Sequence, residues 1–354
     1  MHSDVAATSA AATSAAPTNR IWVGGYTPEM DGSAAGIALL WVGARGELSY
    51  RGTAASTLSP SFLGMSNGVI YATGESGPTV AAFARDGDDL TPLGEHAAAG
   101  EFPCALAAVD SLLIVASYGD GAVGVHRLEE SGAIRGGAPE QVLRSAGRGP
   151  HKAQDGPHAH AALAVPRNDQ PTLVLTTDLG TDSIFVHTVH PERLASPLSR
   201  IGAIHLAPGT GPRDLLLRPS GDVWVLGELS CELVILRPEG DSYRVAATVP
   251  LAGALAGDHA SAIALNSAGT HAYIGLRGSN LISIVEVDVA GDVTATSSTS
   301  CGGDWPRHLT VVGEHLYVAN QRSSSVESFA IEHDGMLTLA GSVAVASPTY
   351  LLVD

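Results

Sequence analysis

Charge is scarce in this chain of 354 residues, and most of it has one sign: 19 lysines and arginines stand against 36 aspartates and glutamates, for a net charge of −17. Only 16% of the residues are charged, against about a quarter in an ordinary globular protein. So acidic a chain repels polyanions at long range, which excludes nucleic acid as a partner. Apolar runs are short as well. None reaches the roughly 18 residues that a spanning helix needs, so no membrane partner is expected. Cysteine is nearly absent. Cys104, Cys231 and Cys301 are odd in number and far apart, fitting neither a disulfide framework nor a Cys-x-x-Cys zinc site. Reduced thiols in a cytoplasmic protein are the plain expectation. No 3.6-residue apolar pattern of useful length is present, which argues against a helical fold.

Residues 1–19 are rich in Ala, Ser and Thr and lack both the cationic start and the continuous apolar core of a secretory signal. They read as a disordered leader, leaving 20–354 as a single domain. That domain is built on a repeat. One unit is a strand ending in a polar position, a short turn and a second strand. It recurs at 71–83, 114–126, 175–187, 225–236, 273–285 and 317–329, with a weaker copy starting at Ile21. The spacing, roughly 43 to 61 residues, is that of a four-stranded propeller blade.

A second unit precedes every copy but the first, with Pro60, Pro103, Pro212, Pro306 and Pro348 each opening an apolar alternating stretch. Ala159 and Ala260 fill the two remaining places. The first copy has no partner before it and the last proline unit has none after it. They complete each other if N- and C-terminal strands share one blade, which also hides the sheet edges. The fold predicted is therefore all-β, a seven-bladed β-propeller closed by strands from both termini.

Within each blade the proline unit comes first and should form the innermost strand. The residue after its proline then lies at the mouth of the central channel. Around the ring this position reads Ser61, Cys104, His160, Arg213, Ser261, Arg307 and Thr349. The polar end of the following strand reads Gly25, Gly74, Ser117, Asp178, Glu228, Leu276 and Asn320, with Arg277 and Arg322 close behind two of them. Arginines grip carboxylate or phosphate through fixed planar donors, and a histidine or glutamate can take a proton from water near neutral pH. Such a ring in an acidic protein suits a small anionic substrate. The competing role for any one arginine is an ion pair between blades.

Other motifs carry less. His158 and His160 stand two apart on an expected strand and share a face. With His151 or Asp155 they could hold a divalent metal, but the spacing provides no third ligand and no metal is expected. Gly64-Met-Ser-Asn-Gly68 matches a nucleophile-elbow pattern, yet it falls between two strands rather than between strand and helix. Asp86-Gly-Asp-Asp89 reads as a hairpin turn rather than a calcium loop.

Six short motifs, in order, resemble one known family: Gly24-Gly-Tyr-Thr27, Pro157-His-Ala-His160, Thr177-Asp-Leu-Gly-Thr-Asp182, Gly209-Thr-Gly-Pro-Arg213, Trp305-Pro-Arg-His308 and Val318-Ala-Asn-Gln-Arg-Ser323. They look like the lactonase propellers, a family that includes the bacterial propeller-type 6-phosphogluconolactonases and the fungal carboxy-muconate lactonizing enzymes. The resemblance implies that a lactone ring is opened, or in the fungal branch closed, with neither metal nor cofactor. It also implies catalytic roles for His160, Arg213, Glu228 and a second arginine, placed at Arg277 with Arg307 as competitor. Arg307, His158, His308, Asp178, Asn320 and Arg322 are expected to contact substrate. A 6-phospho sugar lactone is the leading substrate, in a monomer or small homo-oligomer. A muconate-type cycloisomerase and a non-catalytic binding propeller are the alternatives. The chain departs from the family at Ser117 and Leu276, where asparagine is usual, and at Asp214, where histidine is.

Overall fold

The computed structural model describes residues 19–168 and 170–354; the leader expected over 1–19 lies outside them except for Asn19, which opens the first strand. Among the described residues the strands form seven four-stranded antiparallel sheets. In six blades the strands follow one another in chain order from the axis outward. The seventh sheet joins Pro348–Val353 to Asn19–Gly25, so the terminal strands close the ring within one blade. We number that blade 1. Blades 2 to 7 begin with the inner strands Pro60–Ser66, Pro103–Val109, Ala159–Val165, Pro212–Leu217, His259–Leu265 and Pro306–Val312.

Every proline of the repeat is the first or nearly first residue of an inner strand, where a missing N–H breaks no ladder bond. Each second strand is apolar on both faces because each face meets a different neighbouring blade. In Asn19–Gly25, Ile21 and Val23 pack toward blade 7 while Trp22 packs toward blade 2. In Leu112–Ser117 the alternation sends Leu112 and Ile114 toward blade 4 and Leu113 and Val115 toward blade 2. The core is thus seven separate apolar clusters, one on each seam between blades. Tyrosine hydroxyls latch three of these seams. Tyr71, Tyr273 and Tyr317 donate to the carbonyls of Gly132, Gly335 and Gly46 in the next blade, at 2.8, 3.0 and 3.0 Å.

Each inner strand carries a register shift just after its first residue, or after its second in blade 6, where two residues oppose one on the second strand. In blades 3, 5, 7 and 1 the extra residue is Cys104, Arg213, Arg307 and Thr349, the residue after the proline. A bulge of this kind bends the strand and re-aims the side chain it frees. Here it turns seven side chains toward the axis.

The seams also bury histidines that stay neutral. Burial foremost, with His96 nearby, pushes His126 down to about 4. Burial with Arg200 takes His187 to about 3, and at the wall of the central channel burial with Arg213 takes His308 to about 3. Such a histidine binds fewer protons folded than unfolded, so its contribution to stability is complete above the ordinary value near 6.5 and is lost as pH falls below it. Each should cost up to about 1.4 kcal/mol per pH unit between roughly pH 6.5 and 4. Neither ring nitrogen of His126 has a hydrogen-bond partner among the described residues. Denaturant titrations at pH 7 and 5 should therefore show a smaller acid loss in His126→Leu than in wild type, by about one proton's worth. Equal losses would contradict this reading.

Candidate active site

The channel holds a cavity of about 230 Å³. All seven residues of the ring after the proline position line it: Ser61, Cys104, His160, Arg213, Ser261, Arg307 and Thr349. Below them His308 and Tyr350 pack ring to ring at 3.9 Å, and Phe62 meets Tyr350 at 4.1 Å. His308 Nδ1 accepts from the Leu351 N–H, so it is a fixed, neutral part of the wall. Asp214 faces the cavity but also pins the backbone, accepting from the N–H groups of Leu215 and Ile263. Burial raises its pKa.

Above the ring, one carboxylate organises the charges. Glu228 Oε2 accepts from Arg213 Nη1 at 2.7 Å, and Oε1 accepts from Arg277 Nη2 at 3.0 Å with His259 Nδ1 3.3 Å away. Burial alone would raise the Glu228 pKa, but Arg277 and Arg213 hold it well below the usual carboxylate range. Arg277 is fixed by the carbonyls of His259 and Ala260 at 3.2 and 3.1 Å. Burial draws it down to about 9 against the support of Glu228, leaving it cationic at neutral pH. Arg213 is anchored through Nε to the Ser261 carbonyl, and its Nη1 also lies 2.7 Å from His160 Nε2. A guanidinium can only donate, so His160 Nε2 accepts and the proton of the neutral ring is on Nδ1. Burial, then Arg213, keeps His160 far below its ordinary value.

A second cluster lies across the mouth. Arg307 Nη2 donates to the Tyr26 hydroxyl at 2.5 Å, and that hydroxyl donates to Glu75 Oε1 at 2.9 Å. Burial raises the Tyr26 pKa far above its normal value, so it stays a neutral phenol. The Cys104 thiol is also pushed up by burial and is no nucleophile at neutral pH.

The four residues expected to be catalytic, His160, Arg213, Glu228 and Arg277, are brought together. Arg307 and His308 line the same cavity. The other expected substrate contacts lie elsewhere. His158 stacks on Tyr118, with Nδ1 2.7 Å from the Tyr118 carbonyl and Nε2 3.0 Å from Asp155, and so orders the long loop before its strand. Asp178 accepts from the N–H groups of His158 and Thr181 and from the Ser145 hydroxyl, holding the same loop. Asn320 is buried and donates to the Cys301 carbonyl. Arg322 lies over Trp305 at 3.5 Å, at the rim. His158 and His160 serve different partners, and among the described residues no three His, Cys, Asp or Glu side chains gather as a metal would need.

Tyr26, Glu75 and His259 were not singled out from the sequence. The signal is one residue further along. Gly25, Gly74, Ser117, Asp178, Leu276 and Asn320 pair with the first residues of the inner strands, and the residue after each one reaches the mouth. That outer ring reads Tyr26, Glu75, Tyr118, Leu179, Glu228, Arg277 and Gln321. In six of the seven blades its N–H donates to the carbonyl of the residue before the inner strand's proline position.

With this geometry in hand, the family follows. The chain belongs to the seven-bladed β-propeller lactonases, whose family model matches residues 20–353. It is 27% identical to the 6-phosphogluconolactonase of Bacillus subtilis over 80% of this chain and 83% of that protein. The crystal structure of a putative 6-phosphogluconolactonase from Bacteroides fragilis superposes with a TM-score of 0.87 at 26% identity, covering 95% of this chain and 98% of the other. The periplasmic gluconolactonase of Pseudomonas aeruginosa, at 24% identity and a TM-score of 0.86, covers 95% and 98% and shares the fold. No helix among the described residues is long and apolar enough to cross a membrane.

Glu228→Gln would leave two buried guanidinium groups without their carboxylate. The expected loss is about 3–5 kcal/mol of stability. Inorganic phosphate should raise the Tm of the truncated Glu228→Ala more than that of wild type, because there it fills the vacated place between the arginines. An unchanged Tm in Glu228→Gln would contradict the pairing.

Proposed function

We propose that this protein hydrolyses a small anionic sugar lactone, with 6-phosphogluconolactone as the foremost substrate, in the cytoplasmic pentose phosphate pathway. The observation that carries this reading is the double engagement of Arg213, 2.7 Å from both His160 and Glu228 at the wall of the cavity. Arg213 occupies the lone pair of His160 Nε2. A lactone carbonyl oxygen that takes the Arg213 hydrogen bond frees that lone pair. Water then attacks the carbonyl carbon while Nε2 accepts its proton. Arg213, with Arg307 on the same ring, stabilises the tetrahedral oxyanion. Collapse breaks the bond from acyl carbon to ring oxygen, and the imidazolium returns the proton to the departing alkoxide, giving the open hydroxy acid. Glu228 steadies the imidazolium through Arg213 and keeps Arg213 and Arg277 aimed.

Three guanidinium groups at the mouth repel a divalent cation, which supports a route without a metal. The name of the Bacillus subtilis relative supports the phosphorylated sugar lactone. The three buried, unpaired cysteines agree with a cytoplasmic setting.

The test is hydrolysis of freshly generated 6-phosphogluconolactone in the presence of EDTA. Wild type should turn it over, and Arg213→Gln should lose about 10²–10³ in kcat. His160→Gln should lose about 10²–10⁴. No wild-type rate above the spontaneous background would sink the assignment, and turnover of a muconate instead would establish the ring-closing reaction.

A further inference from the structure

Glu75 and Glu228 hold the same place in blades 2 and 5, immediately after the second strand, on roughly opposite sides of the mouth. Their surroundings differ. Glu228 is saturated by two arginines beside a histidine. The Glu75 side chain has one hydrogen bond, from Tyr26 to Oε1, while its Oε2 is buried without any partner among the described residues. The side chain is only 7% exposed. A buried carboxylate oxygen without a donor is costly, and native proteins rarely keep one. On the inner ring of the adjoining blade 1, Thr349 is 2% exposed, lines the cavity, and has a hydroxyl that is also without a partner among the described residues. Tyr26 joins Glu75 to Arg307, which lines the cavity, so Glu75 stands in the hydrogen-bonded wall around the reacting groups.

We propose that Glu75 Oε2 is the acceptor for a substrate hydroxyl, making blades 1, 2 and 7 the side of the mouth that recognises a polyhydroxylated chain. This rests on the lactonase reading and narrows its substrate class. An ionised carboxylate can only accept hydrogen bonds. Facing an anionic ligand without hydroxyls, such as an unsaturated diacid, it adds repulsion and leaves itself unpaired. A sugar lactone brings several O–H donors, and Tyr26 holds Glu75 in place to receive one. The split also divides the labour around the ring. Blades 4, 5 and 6 carry His160, Arg213, Glu228 and Arg277, which act on the carbonyl. The opposite blades carry Tyr26, Glu75 and Thr349, which read what is attached to it, beside Arg307, which reaches the oxyanion.

The test is calorimetric binding of gluconate and of hexanoate, which share chain length and carboxylate but differ in hydroxyls. Wild type should prefer gluconate by at least about tenfold, as expected of a hydrogen bond to a charged acceptor. Glu75→Ala should lose about 10- to 100-fold of the gluconate affinity while hexanoate changes less than about threefold. Glu75→Gln, which keeps the shape and guards against a folding defect, should lie between. Tyr26→Phe should weaken gluconate in the same direction by releasing Glu75. A wild type that does not distinguish the two acids, or binds neither, overturns the proposal, as does a folded Glu75→Ala that keeps the preference. Absence of lactone turnover with the gluconate preference intact and dependent on Glu75 would sink the lactonase reading alone.

Discussion

Seven inner strands converge on one narrow axis, and each must bulge where it reaches the mouth. The rest of the molecule follows from that constraint. A strand with one residue too many cannot keep alternating between two seams, so one side chain per blade is turned into the channel. The apolar seams behind it are unaffected, because the second strand carries the packing on both of its faces. Separating scaffold from site in this way lets one ring hold serine, cysteine, histidine, arginine and threonine at equivalent places without disturbing the seven clusters that hold the blades together.

Convergence also concentrates charge. Arg213, Arg277 and Arg307 come from three different blades of a protein with few basic residues, and burial would be prohibitive without compensation. Glu228 supplies it for two of them, while Tyr26 relays Glu75 to the third. His160 and His308, near these cations, remain neutral, so a proton acceptor is available well below neutral pH. Its lone pair is covered by Arg213 until another acceptor takes that donor away. Catalysis in this account is an exchange of hydrogen-bond partners at one guanidinium, with the base exposed by the act of binding.

The architecture was legible because the repeat is legible: the apolar stretch and the polar end of the next strand recur seven times, five of them opened by a proline, and the unmatched units at the two ends imply closure. The residue after the proline could be read directly, and all seven line the cavity. The outer ring was read one residue short in most blades. Strand alternation leaves open which of two consecutive residues faces the axis once a hidden bulge has shifted the register. Asp178 and Asn320 therefore looked like mouth residues but turn into the loops, while Tyr26 and Glu75 stand one step beyond their strand ends. Glu228 was found because it carries a charge where the pattern asked for a polar group. His259 lay hidden because its blade lacks the proline that marks the register.

The central claim is that substrate takes Arg213 from His160, and a crystal structure of the protein with bound 6-phosphogluconate addresses it most directly. The account predicts a carboxylate oxygen of the ligand within hydrogen-bond distance of Arg213, with His160 Nε2 released from the guanidinium and facing the carboxyl carbon. A ligand bound away from this cavity, with the Arg213–His160 contact still at its distance of 2.7 Å, would contradict it.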